Sequence, residues 1–101
     1  MPRQRKDRAD TGQQEIVKSL RKMGYSVITG MDDLIVGAHG LSLWYELKRP
    51  DARSKKDGRI LDSFIKPSQK TLLETYKGHY RIVCSLQEIL EDIADAIAKQ
   101  A

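Results

Sequence analysis

Apolar positions along the chain follow two rhythms. From about Gln13 to Lys22, the residues Ile16, Val17, Leu20 and Met23 recur at helical spacing, and Gly24 follows as a C-cap. Tyr25-Ser26-Val27-Ile28 predicts a short strand and Asp33-Leu34-Ile35-Val36-Gly37 a second one. The segment from Leu41 to Lys48 alternates cleanly. Leu41, Leu43, Tyr45 and Leu47 fall on one face, and Ser42, Trp44, Glu46 and Lys48 on the other. Pro50 ends that strand, because proline cannot donate to a central ladder. Residues 50–60 have no rhythm and form the longest loop. Pro67 then stands at the first position of a helix whose apolar side is Leu72, Leu73 and Tyr76, stopped by Gly78. Tyr80-Arg81-Ile82-Val83-Cys84 predicts a fourth strand. Ser85 with Glu88 is a capping-box pattern, opening a last helix to about Lys99 with Leu86, Ile89, Leu90, Ile93 and Ile97 inward. The order α-β-β-β-α-β-α is that of an α/β domain, a mixed central sheet flanked by helices.

Composition narrows the class. The 101 residues suffice for one core, with 40% apolar and 32% charged residues, a soluble globular balance. We expect a basic flexible arm over residues 1–10 and a single domain over residues 11–101. No apolar run reaches the length of a membrane helix, and the first ten residues do not have the pattern of a secretory signal. Cys84 is the sole cysteine, so an intrachain disulfide and cysteine-based zinc sites are excluded, and a cytoplasmic location is the expectation. The net charge of +4 is unevenly spread, since residues 82–101 are acidic and the body is strongly basic. Arg3, Arg5, Lys6 and Arg8 form one basic cluster, and Arg49, Arg53, Lys55, Lys56 and Arg59 another. Such clusters attract phosphate backbones through charge and counterion release, which makes nucleic acid the expected partner.

The candidate chemistry lies in the hairpin between the second and third strands. A two-residue turn at His39-Gly40 sets Asp33 directly opposite Glu46, with the two side chains on one face. A three-residue turn would put Asp33 opposite Tyr45 instead. In the first register Lys48 lies on the same face, two residues beyond Glu46. Two carboxylates held together repel, and a hard cation such as Mg²⁺ or Mn²⁺ removes that penalty by binding their oxygens. A lysine beside them can orient a water or neutralise charge on a pentacoordinate phosphorus. These are the parts that phosphodiester hydrolysis needs.

Asp33, the Glu46-Leu47-Lys48 tripeptide, the helix that opens Gln13-Gln14-Glu15-Ile16-Val17 and the Pro67-Ser68-Gln69 helix start together resemble the PD-(D/E)XK nuclease superfamily, in particular its small stand-alone VRR-NUC branch, common in phages. The resemblance covers about residues 8–95. It implies a restriction-endonuclease-like fold, with Asp33 and Glu46 as metal ligands and Lys48 as the catalytic lysine. It also implies Glu15 as a further acidic ligand and Gln69 as a site residue that supports the lysine or the scissile phosphate. The family has proline before its aspartate where this chain has Asp32, which leaves both Asp32 and Asp33 as ligand candidates; strand phase favours Asp33.

The implied activity is a divalent-metal-dependent DNA endonuclease, structure-specific for four-way junctions or flaps in recombination, repair or replication. Family members of that kind act as homodimers, and two-fold symmetry suits a substrate with two strands to cut. The alternatives are a non-catalytic nucleic-acid-binding module on a nuclease fold and a basic protein-interaction domain. The DNA-contacting residues expected are Arg49, Arg53, Lys55, Lys56 and Arg59 in the loop and Arg5, Lys6 and Arg8 in the arm. His39 and His79 read as turn and loop residues, and Trp44, on the Glu46 face, reads as core.

Overall fold

A computed structural model describes the backbone of residues 4–100 and the side chains of residues 12–100. Helix α1 spans Gln4–Lys22, followed by strands β1 (Ser26–Thr29), β2 (Asp33–Ala38) and β3 (Leu41–Leu47). Helix α2 (Pro67–Thr75), strand β4 (Tyr80–Val83) and helix α3 (Leu86–Gln100) complete the chain. The observed order is the expected α-β-β-β-α-β-α. Among the described residues, no helix is long and apolar enough to cross a membrane.

Helix α1 starts at Gln4, earlier than the expected start near Gln13. Gln4, Arg5, Lys6, Arg8 and Ala9 favour helix, and no proline interrupts the run, although Asp7, Asp10, Thr11 and Gly12 do not. The side chains of Arg5, Lys6 and Arg8, expected to touch DNA, lie outside the described residues, as does Arg3.

The four strands form one mixed sheet in the order β1-β2-β3-β4. β1, β2 and β3 are an antiparallel meander, and β4 pairs parallel to β3. A parallel neighbour requires a crossover, which here is the 50–60 loop and α2. The β2–β3 hairpin closes through His39 and Gly40, at φ 51° and 81°. Two successive positive φ values fit the tight turn whose twist matches the flanking strands. This turn sets the register Asp33↔Glu46, Leu34↔Tyr45, Ile35↔Trp44.

Alternation then divides the sheet into two faces. Leu34, Val36, Ala38, Leu43, Tyr45 and Val83 point to one side, where Val17 and Leu20 of α1 and Ile89 and Ile93 of α3 cover them. Leu20, Val36, Tyr45 and Ile89 are fully buried, each stabilising the fold by roughly 1.5–3 kcal/mol. The opposite face carries Asp33, Trp44, Glu46 and Tyr80. There α2 packs at the β4 end, and Tyr76, just after α2, meets Trp44 edge-on. Over β1 and β2 this second face is open, with Ile28 and Ile35 exposed as neighbours across the strands.

Candidate active site

The second sheet face concentrates the polar residues. Asp33 opens β2, and Glu46 lies near the end of β3 as its cross-strand partner. The pairing extends one step further, because Leu47 N–H donates to the Asp32 carbonyl at 2.9 Å. Lys48 follows, tied by its own N–H to the Val83 carbonyl at 2.8 Å, so its backbone is held between β3 and β4. Its Nζ lies 3.9 Å from Glu46 Oε2. Both side chains are largely buried.

Glu46 is 7% exposed. Burial pushes its carboxyl above the ordinary range; Lys48 pulls it back, and the negative charges of Asp33 and Asp32 push it up again. A carboxylate there is poorly solvated and faces another across the strand. That is an environment that an oxygen-binding cation would relieve.

Two neighbours place the Asp33 carboxylate. The Trp44 indole N–H donates to Asp33 Oδ2 at 2.9 Å. On its other side the carboxylate lies over Gly30, where an added Cβ would stand only 2.1 Å from Asp33 Oδ1. Gly30 N–H also bonds the Asp33 carbonyl at 2.8 Å. Trp44 is thus more than a core residue. The single-residue alternation that put it on the Glu46 face was the available signal for this role.

The structure separates Asp32 from Asp33. Asp33 shares the face with Glu46, whereas Asp32 is exposed and lines an open groove with Gln13, Gln14, Glu15 and Lys18 of α1. Glu15 is exposed in that groove. Among the described residues, no group of three or more His, Cys, Asp or Glu side chains is placed to hold a metal ion. The acidic set brought together is therefore the pair Asp33 and Glu46.

Gln69 is buried, and its Oε1 accepts the Lys66 N–H at 3.0 Å. This is the returning half of a capping box at the start of α2, a helix-capping role that needs no substrate. Among the described residues no hydrogen bond joins Gln69 to Lys48, Glu46 or Asp33.

The basic loop is more structured than its composition suggests. It contains short 3-10 turns at Pro50–Ala52 and Asp62–Phe64 and an isolated bridge between Arg53 and Ile60. Arg53, expected to contact DNA, is half-buried and bonded within the chain. Its Nε and Nη2 donate to Glu88 at 3.1 and 2.5 Å, and Nη1 donates to the Gly58 carbonyl at 2.6 Å. Its guanidinium therefore ties the loop to the start of α3. Arg49 pairs with Asp51 and Arg59 with Asp57, both pairs exposed, while Lys55 and Lys56 are exposed without an ion pair among the described residues.

A further cluster lies on the α3 side of the sheet. Tyr45 donates to Asp92 Oδ2 at 2.6 Å, His79 Nε2 meets the same oxygen at 2.5 Å, and Arg81 Nε lies 3.6 Å from Asp92 Oδ1. This network anchors α3 to β3 and β4.

No family model matches the chain, and neither the curated proteins nor the solved structures contain a match to it.

Proposed function

We propose that the protein is a divalent-metal-dependent endonuclease of the PD-(D/E)XK type, with a restriction-endonuclease-like fold and DNA as its substrate. One observation carries the reading. The pairing of Asp33 with Glu46 places two carboxylates on one face, with the Lys48 ammonium 3.9 Å from the buried Glu46. Two carboxylates, one of them poorly solvated, are a donor set that fits Mg²⁺ or Mn²⁺. Asp33 and Glu46 would hold the ion; Glu15, out in the α1 groove, is left outside the proposed set. When bound, the cation supplies positive charge that polarises the phosphodiester and eases ionisation of a water.

The chain's own residues do the rest. Trp44 and Gly30 fix the Asp33 carboxylate in one position. Lys48 holds the attacking water by hydrogen bonding and offsets negative charge as the phosphorus becomes pentacoordinate. Water adds to phosphorus, the bond to the leaving oxygen breaks, and the products are a phosphate monoester and a hydroxyl. Lys55, Lys56 and Arg59 draw the DNA backbone toward the site. A branched DNA substrate and a homodimer belong to the same proposal, since one chain carries one site and a junction presents two symmetric strands.

The test is a panel of labelled duplex, flap, splayed and four-way DNAs incubated with Mn²⁺ and, separately, with chelator. Chelator-sensitive cleavage, strongest on a branched DNA, is the expected result. The second reading, a non-catalytic nucleic-acid binder, is favoured by the grouping of only two acids among the described residues. It predicts salt-sensitive binding to the same panel with no cleavage under any condition.

A further inference from the structure

The face that carries Asp33 and Glu46 also carries Tyr80. In the parallel pairing of β3 with β4, Tyr80 stands beside Trp44, and Glu46 follows two residues further along β3. Residues two apart share a face, so Tyr80, Trp44 and Glu46 project to the same side. The Tyr80 ring lies 4.8 Å from the Trp44 ring in an edge-on arrangement, and Trp44 is the residue that holds Asp33.

Tyr80 is 3% exposed, and its hydroxyl is the one buried side-chain polar atom among the described residues with no hydrogen-bond partner. Native chains seldom leave a buried hydroxyl in that condition, because it forfeits the bonds it made in water. The contrast with Tyr45 is direct. On the other face, the buried Tyr45 hydroxyl has a protein partner in Asp92. Burial first, then the charges of Glu46 and Asp33, push the Tyr80 hydroxyl up to about 12. It stays protonated at neutral pH, and it lies within the field of both carboxylates.

We infer that Tyr80 is a positioning residue of the cation site, its hydroxyl hydrogen-bonding a water of the hydrated ion held by Asp33 and Glu46. This rests on the reading of those two acids as cation ligands. A phenol can both donate and accept, so it can meet a water in either orientation. Tyr80 on β4 would then support the ion's hydration from the strand next to the one that carries Trp44 and Glu46. The orphaned hydroxyl is thus a partner kept for an oxygen that arrives with the ion.

The test uses Tyr80→Phe, which keeps the ring and removes the oxygen. Mn²⁺ binding is followed by the fluorescence of Trp44, the chain's one tryptophan, and thermal unfolding of the metal-free protein is measured alongside. The metal-free variant is expected to melt at or above the wild-type midpoint, because an unsatisfied hydroxyl has gone. Its Mn²⁺ affinity is expected to fall about tenfold, as for other groups that act on a metal through its ligands. A purely structural tyrosine would give the opposite pattern, a lower midpoint with unchanged affinity, and that result overturns the inference. Glu46→Gln in the same titration separates the two levels. If wild type binds Mn²⁺, Glu46→Gln does not, and Tyr80→Phe binds as wild type does, the role of Tyr80 fails while the cation site stands. If wild type does not bind Mn²⁺, the cation site fails and the inference with it.

Discussion

Replacing Glu46 by Gln removes one charge from the sheet face at nearly constant shape, and its effect on stability should change sign with the cation. The Asp33 and Glu46 carboxylates, on facing positions of β2 and β3, repel; like charges about 5 Å apart would do so by about 3 kcal/mol at an effective dielectric of about 20. The same arithmetic gives the contact with Lys48 at 3.9 Å an attraction of about 4 kcal/mol. Repulsion and attraction oppose each other, and the burial of Glu46 is the largest single influence on its carboxyl. Its carboxyl is raised by burial first, so the charged form is less favoured in the fold than in water. The metal-free Gln variant should therefore be more stable than wild type at pH 7, each kcal/mol of the difference reading as about 4–8 °C in Tm for a domain of this size.

The pH dependence has a fixed direction. A raised carboxyl binds its proton more tightly in the folded state, so wild-type stability falls as pH rises from the ordinary carboxylate range through the raised value. The advantage of the Gln variant should vanish below that window and be complete above it. Mn²⁺ at about one hundred times its Kd adds about 2.7 kcal/mol to wild type alone. The order of melting then reverses. Thermal unfolding of both proteins in chelator and in Mn²⁺ checks this. A Gln variant that melts below wild type in chelator, or that gains as much from Mn²⁺ as wild type does, refutes the reasoning.

Other outcomes follow from the same geometry. Arg53→Ala removes two charge-assisted hydrogen bonds to a partly exposed Glu88 and should cost about 2 kcal/mol in urea unfolding, while Mn²⁺ affinity stays unchanged. Burial raises Glu88, but the hydrogen bonds from Arg53 and the Cys84 N–H outweigh it and hold the carboxyl below its usual range. That contribution should therefore be present above the ordinary glutamate pKa and lost as pH falls through the depressed value, which an acid titration of stability reads directly. Lys48→Ala should keep Mn²⁺ binding and lower the cleavage rate by about a hundredfold or more, measured at single turnover. Gly30→Ala should displace the Asp33 carboxylate, because its Cβ would meet Oδ1 at 2.1 Å; Trp44 emission should change and Mn²⁺ affinity should fall.

What was legible in the sequence was local. The alternation from Leu41 to Lys48 and the His39-Gly40 turn together determine which residue faces Glu46, and the observed register agrees with the two-residue turn. The apolar stripes of α1 and α3 were visible for the same reason, since each helix has one covered side. The start of α1 was missed because residues 4–12 carry no apolar stripe. Arg53 looked like one more loop cation, and its partner Glu88 lies 35 residues away, beyond any local pattern. Tyr80 was hidden for a related reason. Its place beside Trp44 depends on a parallel pairing across a long crossover, and no turn encodes that register. Gln69 was read from the family resemblance as a site residue, and its visible bond is to the start of its own helix.

The most direct measurement of the central claim is single-turnover cleavage of a labelled four-way DNA in Mn²⁺ by wild type, Asp33→Asn and Glu46→Gln, each shown to be folded by its melting curve. The account predicts chelator-sensitive cleavage by wild type and its loss in both variants, with DNA binding retained. Cleavage at the wild-type rate by either variant, or no chelator-sensitive cleavage by wild type, would contradict it.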